Sequence, residues 1–420
     1  MERFVGLLGV GAILAICVLF SRNKKAIDWR MVAISIALQF VFALAMIGIP
    51  ALNIEGPFYA LFSGFNDGVL AVVAMSDEGA KFLFGDLIDS DKFGYIVAFR
   101  LLPTIIFFSS LMAVLYHFGV MQKIVRVIAI VMQKTLRISG AEALAAAAEI
   151  FVGQTESPLM IRPYVSKFTR SELLALMTGG MATVAGGVLA AYVSMLSEHI
   201  ENIAGHLLTA SIMAAPAALI TAKILLPETE KPETLGSVPS AVESTHVNLL
   251  DAAAHGASEG TKLAINVGGM LIAFIALMAL FNAILSSIGG AVGLEVLIGR
   301  PLNLELILGW MFAPLAWLMG ISWSEAFIVG ELLGKKLVIN EFVAYFDLGQ
   351  LKDTISPRSR IIASYALCGF ANFGSIAIQL GGTGSLVPER RRDIARLGFR
   401  ALLGGTLATC MTASIVGLLV

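Results

Sequence analysis

Eight stretches of roughly twenty apolar residues, joined by polar links, constrain this chain more than any other feature. They cover residues 4–21, 31–51, 95–117, 172–195, 203–225, 264–287, 359–381 and 397–420. About 20 apolar residues in a helix cross the hydrocarbon core of a bilayer. At that depth a continuous run must satisfy its own backbone polar groups, which a helix does. The expected fold class is an all-α polytopic membrane protein with eight transmembrane helices. Composition agrees, since only 14% of the residues are charged against about 25% in a soluble domain. That difference excludes a single water-soluble enzyme. The net charge of −1 excludes a polybasic nucleic-acid partner.

The first run is followed by Arg22, Lys24, Lys25 and Arg30, the flank order of a membrane anchor rather than of a cleaved signal peptide. Counting basic residues in the links sets an orientation, because cytoplasmic links carry the excess. With the N-terminus outside, the inner links hold that cluster, then Lys123, Arg126, Lys134 and Arg137, then Arg390, Arg391, Arg392, Arg396 and Arg400. The segment from Lys352 to Arg360 is the one breach. Both termini are therefore expected outside.

Three regions depart from plain spans. Residues 55–90 mix polar and apolar positions and read as helix lying along the membrane surface. Regions 139–168 and 303–350 are apolar but studded with acids and amides. Compared with each other, these two disclose an internal repeat. Ser139…Glu142 matches Ser322…Glu325, Glu156 is echoed by Glu341, and Gly180-Met-Ala-Thr183 matches Gly369-Phe-Ala-Asn372. Both openings fit the Ser-x-x-Glu capping box. Three full spans separate the copies, so the second is inverted. Inverted repeats with broken helices meeting at the midplane are a signature of secondary transporters. The chain divides on this reading into 1–138 (N-terminal spans, surface helix and scaffold), 139–225 (first repeat), 226–302 (inside linker with a short helix, then a scaffold span) and 303–420 (second repeat).

Within the first odd region, helix runs from Gly140 to about Val152. Gly153 breaks it, and Ser157-Pro158 reads as an N-cap followed by proline at the first helical position. Residues 153–157 are then an unwound tip between two half-helices, making a re-entrant hairpin. Free amides and carbonyls at such ends bind ligand groups and ions. Glu156 and Glu341 lie in apolar surroundings, where a carboxylate costs about 2.5–3.5 kcal/mol on insertion scales. They are either functional or paired with Lys335, Lys336 or Arg162. Glu142 and Glu325 are read as caps. Asn372 and Ser375 lie where Gly369 and Gly374 loosen the helix. The three cysteines (Cys17, Cys368, Cys410) and five histidines (His117, His199, His206, His246, His255) form no disulfide framework or metal-spaced set. The histidines read as solvated or interfacial.

At GQTESPLMIRPY (153–164), INEFVAY (339–345) and ALCGFANFGSIAIQ (366–379) the chain resembles the concentrative nucleoside transporter family, nearly end to end and in bacterial length and layout. The resemblance implies a homotrimer in the bacterial inner membrane. Each protomer would have eight spans, two re-entrant hairpins and surface-lying helices, and its transport domain would move like an elevator. It further implies a nucleoside site in which Gln154, Thr155 and Glu156 face the base, with Val188 in apolar contact. Glu341, Asn372 and Ser375 would face the ribose, and Phe370 would line the site. A cation site would use carbonyls at Val152, Thr183 and Val184. Sodium-coupled members of the family typically carry Asn where this chain has Glu149, which leaves open whether Glu149 helps hold sodium or carries a coupled proton. No other cofactor is implied.

Two further readings remain at this stage: a transporter of nucleobases or another polar solute, and a membrane-embedded enzyme. An enzyme needs a nucleophile–base pair or metal ligands at membrane depth, and the motifs contain neither.

Overall fold

The computed structural model describes residues 2–52, 54–239 and 247–420, and those residues are helical with two isolated bridges. His246 and the middle of the expected linker lie outside them. In chain order the main helices are α1 (Glu2–Leu19), α2 (Trp29–Met46), α3 (Tyr59–Phe84), α4 (Val97–His117), α5 (Val120–Leu136), α6 (Gly140–Glu149), α7 (Arg170–Ala182), α8 (Gly186–Leu196), α9 (Ile203–Leu225) and α10 (Leu249–Ala291). They are followed by α11 (Leu304–Leu318), α12 (Trp323–Val338), α13 (Glu341–Gln350), α14 (Pro357–Leu367), α15 (Phe373–Gly381) and α16 (Arg391–Leu419).

The expected spans appear, with two changes. Residues 172–195 form two helices, α7 and α8, rather than one; Thr183 to Ala185 separate them in extended backbone. The interruption expected in 359–381 is present, with α14 and α15 parted at Cys368 to Asn372. The span expected at 264–287 belongs to a 43-residue helix, α10, about 65 Å long at 1.5 Å per residue. Its first turns replace the short linker helix that the polar sequence implied. They hold because Ala252, Gly256, Gly260, Ala264 and Val267 form one buried small-residue face. A methyl group at Gly260 would come within 2.8 Å of Ile106 on α4, so the two backbones approach closely there.

The segment expected along the membrane surface contains α3, a 26-residue helix. Its polar side chains Asn66 and Ser76 face inward; the Asn66 side chain accepts the Ala204 amide at 3.2 Å.

The repeat extends over whole elements. An outer helix (α5, α11) precedes the first arm of a hairpin (α6, α12). The return arm (157–165, α13), a broken span (α7–α8, α14–α15) and a closing span (α9, α16) follow. The two closing spans pack against each other and, with α7, form the buried centre, whereas α10 keeps a largely exposed apolar face.

The expected capping boxes are absent from both hairpin bases. Ser139 does cap α6, accepting the Glu142 amide at 3.3 Å, but the Glu142 carboxylate instead pairs with buried Lys223 of α9 at 2.8 Å. The Ser139 hydroxyl donates to Glu172, at the start of α7. Glu172 closes a true capping box with Thr169. Glu325 accepts the amide and hydroxyl of Ser356, at the start of α14, at 2.9 and 3.0 Å. Ser157 is not an N-cap acceptor; its hydroxyl donates to the Ala145 carbonyl at 3.3 Å, tying the hairpin's two arms together.

Candidate functional site

The two hairpin tips and the two helix breaks meet in one place. Gly369, at φ +148°, lies in the second break, and a methyl group there would sit 2.7 Å from the Ala182 carbonyl oxygen at the end of α7. Only glycine allows the two unwound segments to approach so closely. The first tip docks on the first break, where the Gly186 amide donates to the Phe151 carbonyl at 2.9 Å.

A continuous hydrogen-bond chain runs through this junction. The Tyr192 hydroxyl of α8 donates to Glu341 Oε1 at 2.9 Å, and Asn372 Nδ2 donates to Glu341 Oε2 at 3.0 Å. Asn372 caps α15 at the same time, its Oδ1 accepting the Ser375 amide at 2.9 Å. That duty turns the other side of the amide toward Glu341. Gln154 Nε2 then donates to Ser375 Oγ at 3.0 Å, and Gln379 Nε2 donates to Gln154 Oε1 at 3.1 Å and to the Met177 carbonyl at 2.9 Å. Both hairpins and both broken spans are thereby joined by side chains that are themselves buried.

Each expected substrate residue can now be placed. Gln154, Glu341, Asn372 and Ser375 come together as described. Val188 is buried on α8 one turn before Tyr192. Phe370 lies half-buried in the second break. Thr155 abuts the end of α15, where a methyl group on Gly382 would approach its side chain to 2.9 Å. Glu156 stands apart from the chain. It is exposed, and its carboxylate accepts only its own tip's Gly153 amide, at 3.3 Å, among the described residues. Neither Glu156 nor Glu341 makes the lysine pair considered above. Lys335 instead bridges Asp347 at 2.6 Å.

The expected cation residues cluster one turn away. Val152 and Val184 are buried, and the Thr183 hydroxyl donates to the Gly179 carbonyl at 2.8 Å. Glu149, the last residue of α6 and 1% exposed, lays its carboxylate against the Cα of Gly179. The adjacent Gly180 does the same for the other site, because a methyl group there would come within 2.8 Å of Gln154 Cβ. The glycine pair lets the first hairpin seat both Glu149 and Gln154 on α7. A buried carboxylate beside a helix C-terminal end is suited to hold a cation.

Tyr192 and Gln379 are absent from the sequence-based set. Tyr192 reads as packing, and Gln379 offers the weak signal of an amide inside an apolar half-helix. His206 also departs from expectation. It is buried, with Nδ1 3.0 Å from the Tyr365 hydroxyl, rather than solvated.

Comparison with known proteins places these features in a family. Residues 8–87 and 206–417 match the N- and C-terminal domains of the Na+ dependent nucleoside transporter, and residues 98–198 match a domain described as nucleoside recognition. The chain is 47% identical to YutK, an uncharacterized transporter of Bacillus subtilis (strain 168), over the whole of both proteins. It is 39% identical to sodium/nucleoside cotransporter 1 of Rattus norvegicus, covering all of this chain and 64% of that one. Among solved structures it is similar to CNTnw in an inward-facing substrate-bound state, with a TM-score of 0.90, 43% identity, and coverage of 100% of this chain and 98% of that one. These relatives are membrane transporters rather than enzymes.

Proposed function

Since this chain belongs to the Na+ dependent nucleoside transporter family, we propose that it is a secondary active symporter importing nucleosides across the bacterial inner membrane on a sodium gradient. The observation that carries this reading is the hydrogen-bond chain from Tyr192 through Glu341, Asn372, Ser375 and Gln154 to Gln379. It presents a carboxylate and an amide on one side and two further amides on the other. A carboxylate accepts the protons of sugar hydroxyls, while Gln side chains match both donors and acceptors on a base edge.

On this reading Glu341, Asn372 and Ser375 hold the ribose, and Gln154, Thr155 and Glu156 face the base. Val188 and Phe370 supply apolar contact. A nucleoside takes over the internal hydrogen bonds of the chain, so an analogue lacking a clamped hydroxyl leaves a buried polar group unpaired and is rejected. Sodium is held by the carbonyls of Val152, Thr183 and Val184 with the Glu149 carboxylate beside them. Its binding fixes the first tip against the first break, which seats Gln154 through Gly180 and couples ion to substrate.

The segments 139–225 and 303–420 form the transport body, and 1–138 with 226–302 the scaffold. That body moves like an elevator against a homotrimer built around the scaffold, whose α10 keeps an exposed apolar face for lipid and neighbouring protomers. Both termini are outside. Uptake of labelled uridine into proteoliposomes under an inward sodium gradient tests the reading. Accumulation that collapses with the gradient supports it, and chemical conversion without accumulation refutes it.

One observation favours a second reading of the coupling ion. Glu149 is a buried carboxylate with no basic partner in ion-pair reach among the described residues, and such a group is stabilised either by a bound cation or by protonation. Proton coupling through Glu149 is the alternative to sodium.

A further inference from the structure

A second buried charge lies in the other repeat, outside the substrate chain. Lys336, in the last turn of α12, is 2% exposed. Its Nζ donates to the Ala366 carbonyl at 2.9 Å and to Thr409 Oγ1 of α16 at 3.0 Å. Among the described residues no carboxylate oxygen lies within ion-pair reach of it. Of the two acids nearest along the chain, Glu341 is engaged by Tyr192 and Asn372, and Glu331 pairs with Arg300. Placing an ammonium in a dry interior costs several kcal/mol, so these contacts demand a reason. Ala366 lies in the last turn of α14, just before the second break, where aligned carbonyls give a half-helix its negative end. Such ends hold cations in transporters with broken helices.

The first repeat has comparable parts, set one turn nearer the hairpin base, since Glu149 lies ten residues past Ser139 and Lys336 fourteen past Ser322. Glu149 ends the first hairpin arm, Gly179 and Thr183 lie at the C-terminal end of α7 before the first break, and the closing span α9 contributes a hydroxyl, Ser211 Oγ, which donates to the Ile150 carbonyl at 2.8 Å. The second repeat has α12, the end of α14 and Thr409 of α16. The charge is reversed, however: the hairpin arm contributes an anion in one copy and a cation in the other.

We propose that Lys336 is a cation built into the second repeat, which holds the second hairpin to the broken and closing spans where the first repeat relies on an exchangeable ion. The second tip is thereby docked permanently, one turn before Glu341, and only the first tip waits for an ion. Lys336 is a positioning residue; it acts on substrate through the tip that presents Glu341. The comparison rests on the reading of Glu149 as part of a cation site, but the contacts of Lys336 do not.

The test uses full-length purified protein at constant sodium, reading uridine binding and the melting temperature of Lys336→Met and Lys336→Ala. The neutral Met variant keeps the volume and should bind uridine at least about tenfold more weakly than the wild type. Lys336→Ala should be weakened similarly and recover both affinity and melting temperature, saturably, with methylammonium but not with equal choline. Wild-type uridine affinity in Lys336→Met overturns the proposal, as does a folded, weakened Lys336→Ala that ignores methylammonium. If Lys336→Ala does not purify, Lys336→Met decides alone. The sodium response of Glu149 variants is read separately, so failure of the first-repeat reading leaves a distinct signature.

Discussion

Replacing Glu341 by Gln changes one oxygen to an amide and leaves the shape intact. In the protein the carboxylate receives the Tyr192 hydroxyl at 2.9 Å and Asn372 Nδ2 at 3.0 Å. Gln retains one acceptor and turns a donor toward one of these two donors. The Tyr192 hydroxyl can rotate and offer its oxygen instead, so the folded apo protein should survive the change. A ribose hydroxyl bound at the same carboxylate loses a hydrogen bond to a charged group, worth about 1.5–3 kcal/mol. At 1.4 kcal/mol per decade this is roughly a 10- to 150-fold loss of uridine affinity. Calorimetric binding to purified protein measures it directly, and the deoxyuridines complete a double-mutant cycle. The wild type should bind uridine more tightly than the analogue lacking the clamped hydroxyl, and Glu341→Gln should narrow that gap. Unchanged uridine affinity in Glu341→Gln, or an undiminished gap, would remove Glu341 from the ribose site.

Glu149→Gln should lose or alter the ion response: uptake measured with sodium replaced by choline, then across pH at fixed sodium, is expected to differ from the wild type in at least one series, and identical responses make Glu149 a bystander. Gly179→Ala drives a methyl group into the Glu149 carboxylate and should raise the sodium concentration for half-maximal uptake while lowering stability by about 1–3 kcal/mol; a wild-type sodium curve contradicts the placement of Glu149 at the ion. Single cysteines at Lys167 and Leu302 should react with an impermeant reagent from inside and outside respectively, and labelling of both from one face makes the repeat parallel.

How much of this was legible from sequence depended on the range of the interactions. The spans were legible because twenty apolar residues in a row are a local property, and Gly153 and Gly369 mark breaks that any chain would make there. The break at Thr183 was harder to place, since Gly179, Gly180, Gly186 and Gly187 flank it without marking one position; it forms where the first tip and Gly369 approach the span. The capping signature at Ser139 and Ser322 also misled. Ser-x-x-Glu reads the carboxylate against its own helix, but Lys223 lies on α9 and competes for Glu142 with a full charge. At the junction, Glu341, Asn372 and Ser375 stood out as polar groups in apolar or glycine-loosened runs, whereas Gln154 was marked only by the family resemblance. Tyr192 did not stand out, because an aromatic residue in a span is ordinarily packing, and its hydroxyl gains meaning only when α13 is brought beside α8.

The two halves of the chain repeat their joints more faithfully than their residues. At the base of the first hairpin a serine on the hairpin donates to a glutamate at the start of the broken span, Ser139 to Glu172. At the base of the second the glutamate is on the hairpin and the serine on the span, Ser356 to Glu325. The bond is the same and its direction is reversed. Deeper in, each first arm has a buried charge near its end, Glu149 against Gly179 in one copy and Lys336 on the Ala366 carbonyl in the other, one negative and one positive. A geometry set by backbone needs only some complementary pair at each joint, so the polarity of the pair is free to differ between copies. That freedom has a functional consequence. A lysine satisfies the carbonyls of its joint by itself, whereas a buried carboxylate beside carbonyls needs a bound cation or a proton. On the proposed reading the ion-dependent step then falls to the first hairpin, and docking of the first tip is the event that an ion gradient drives.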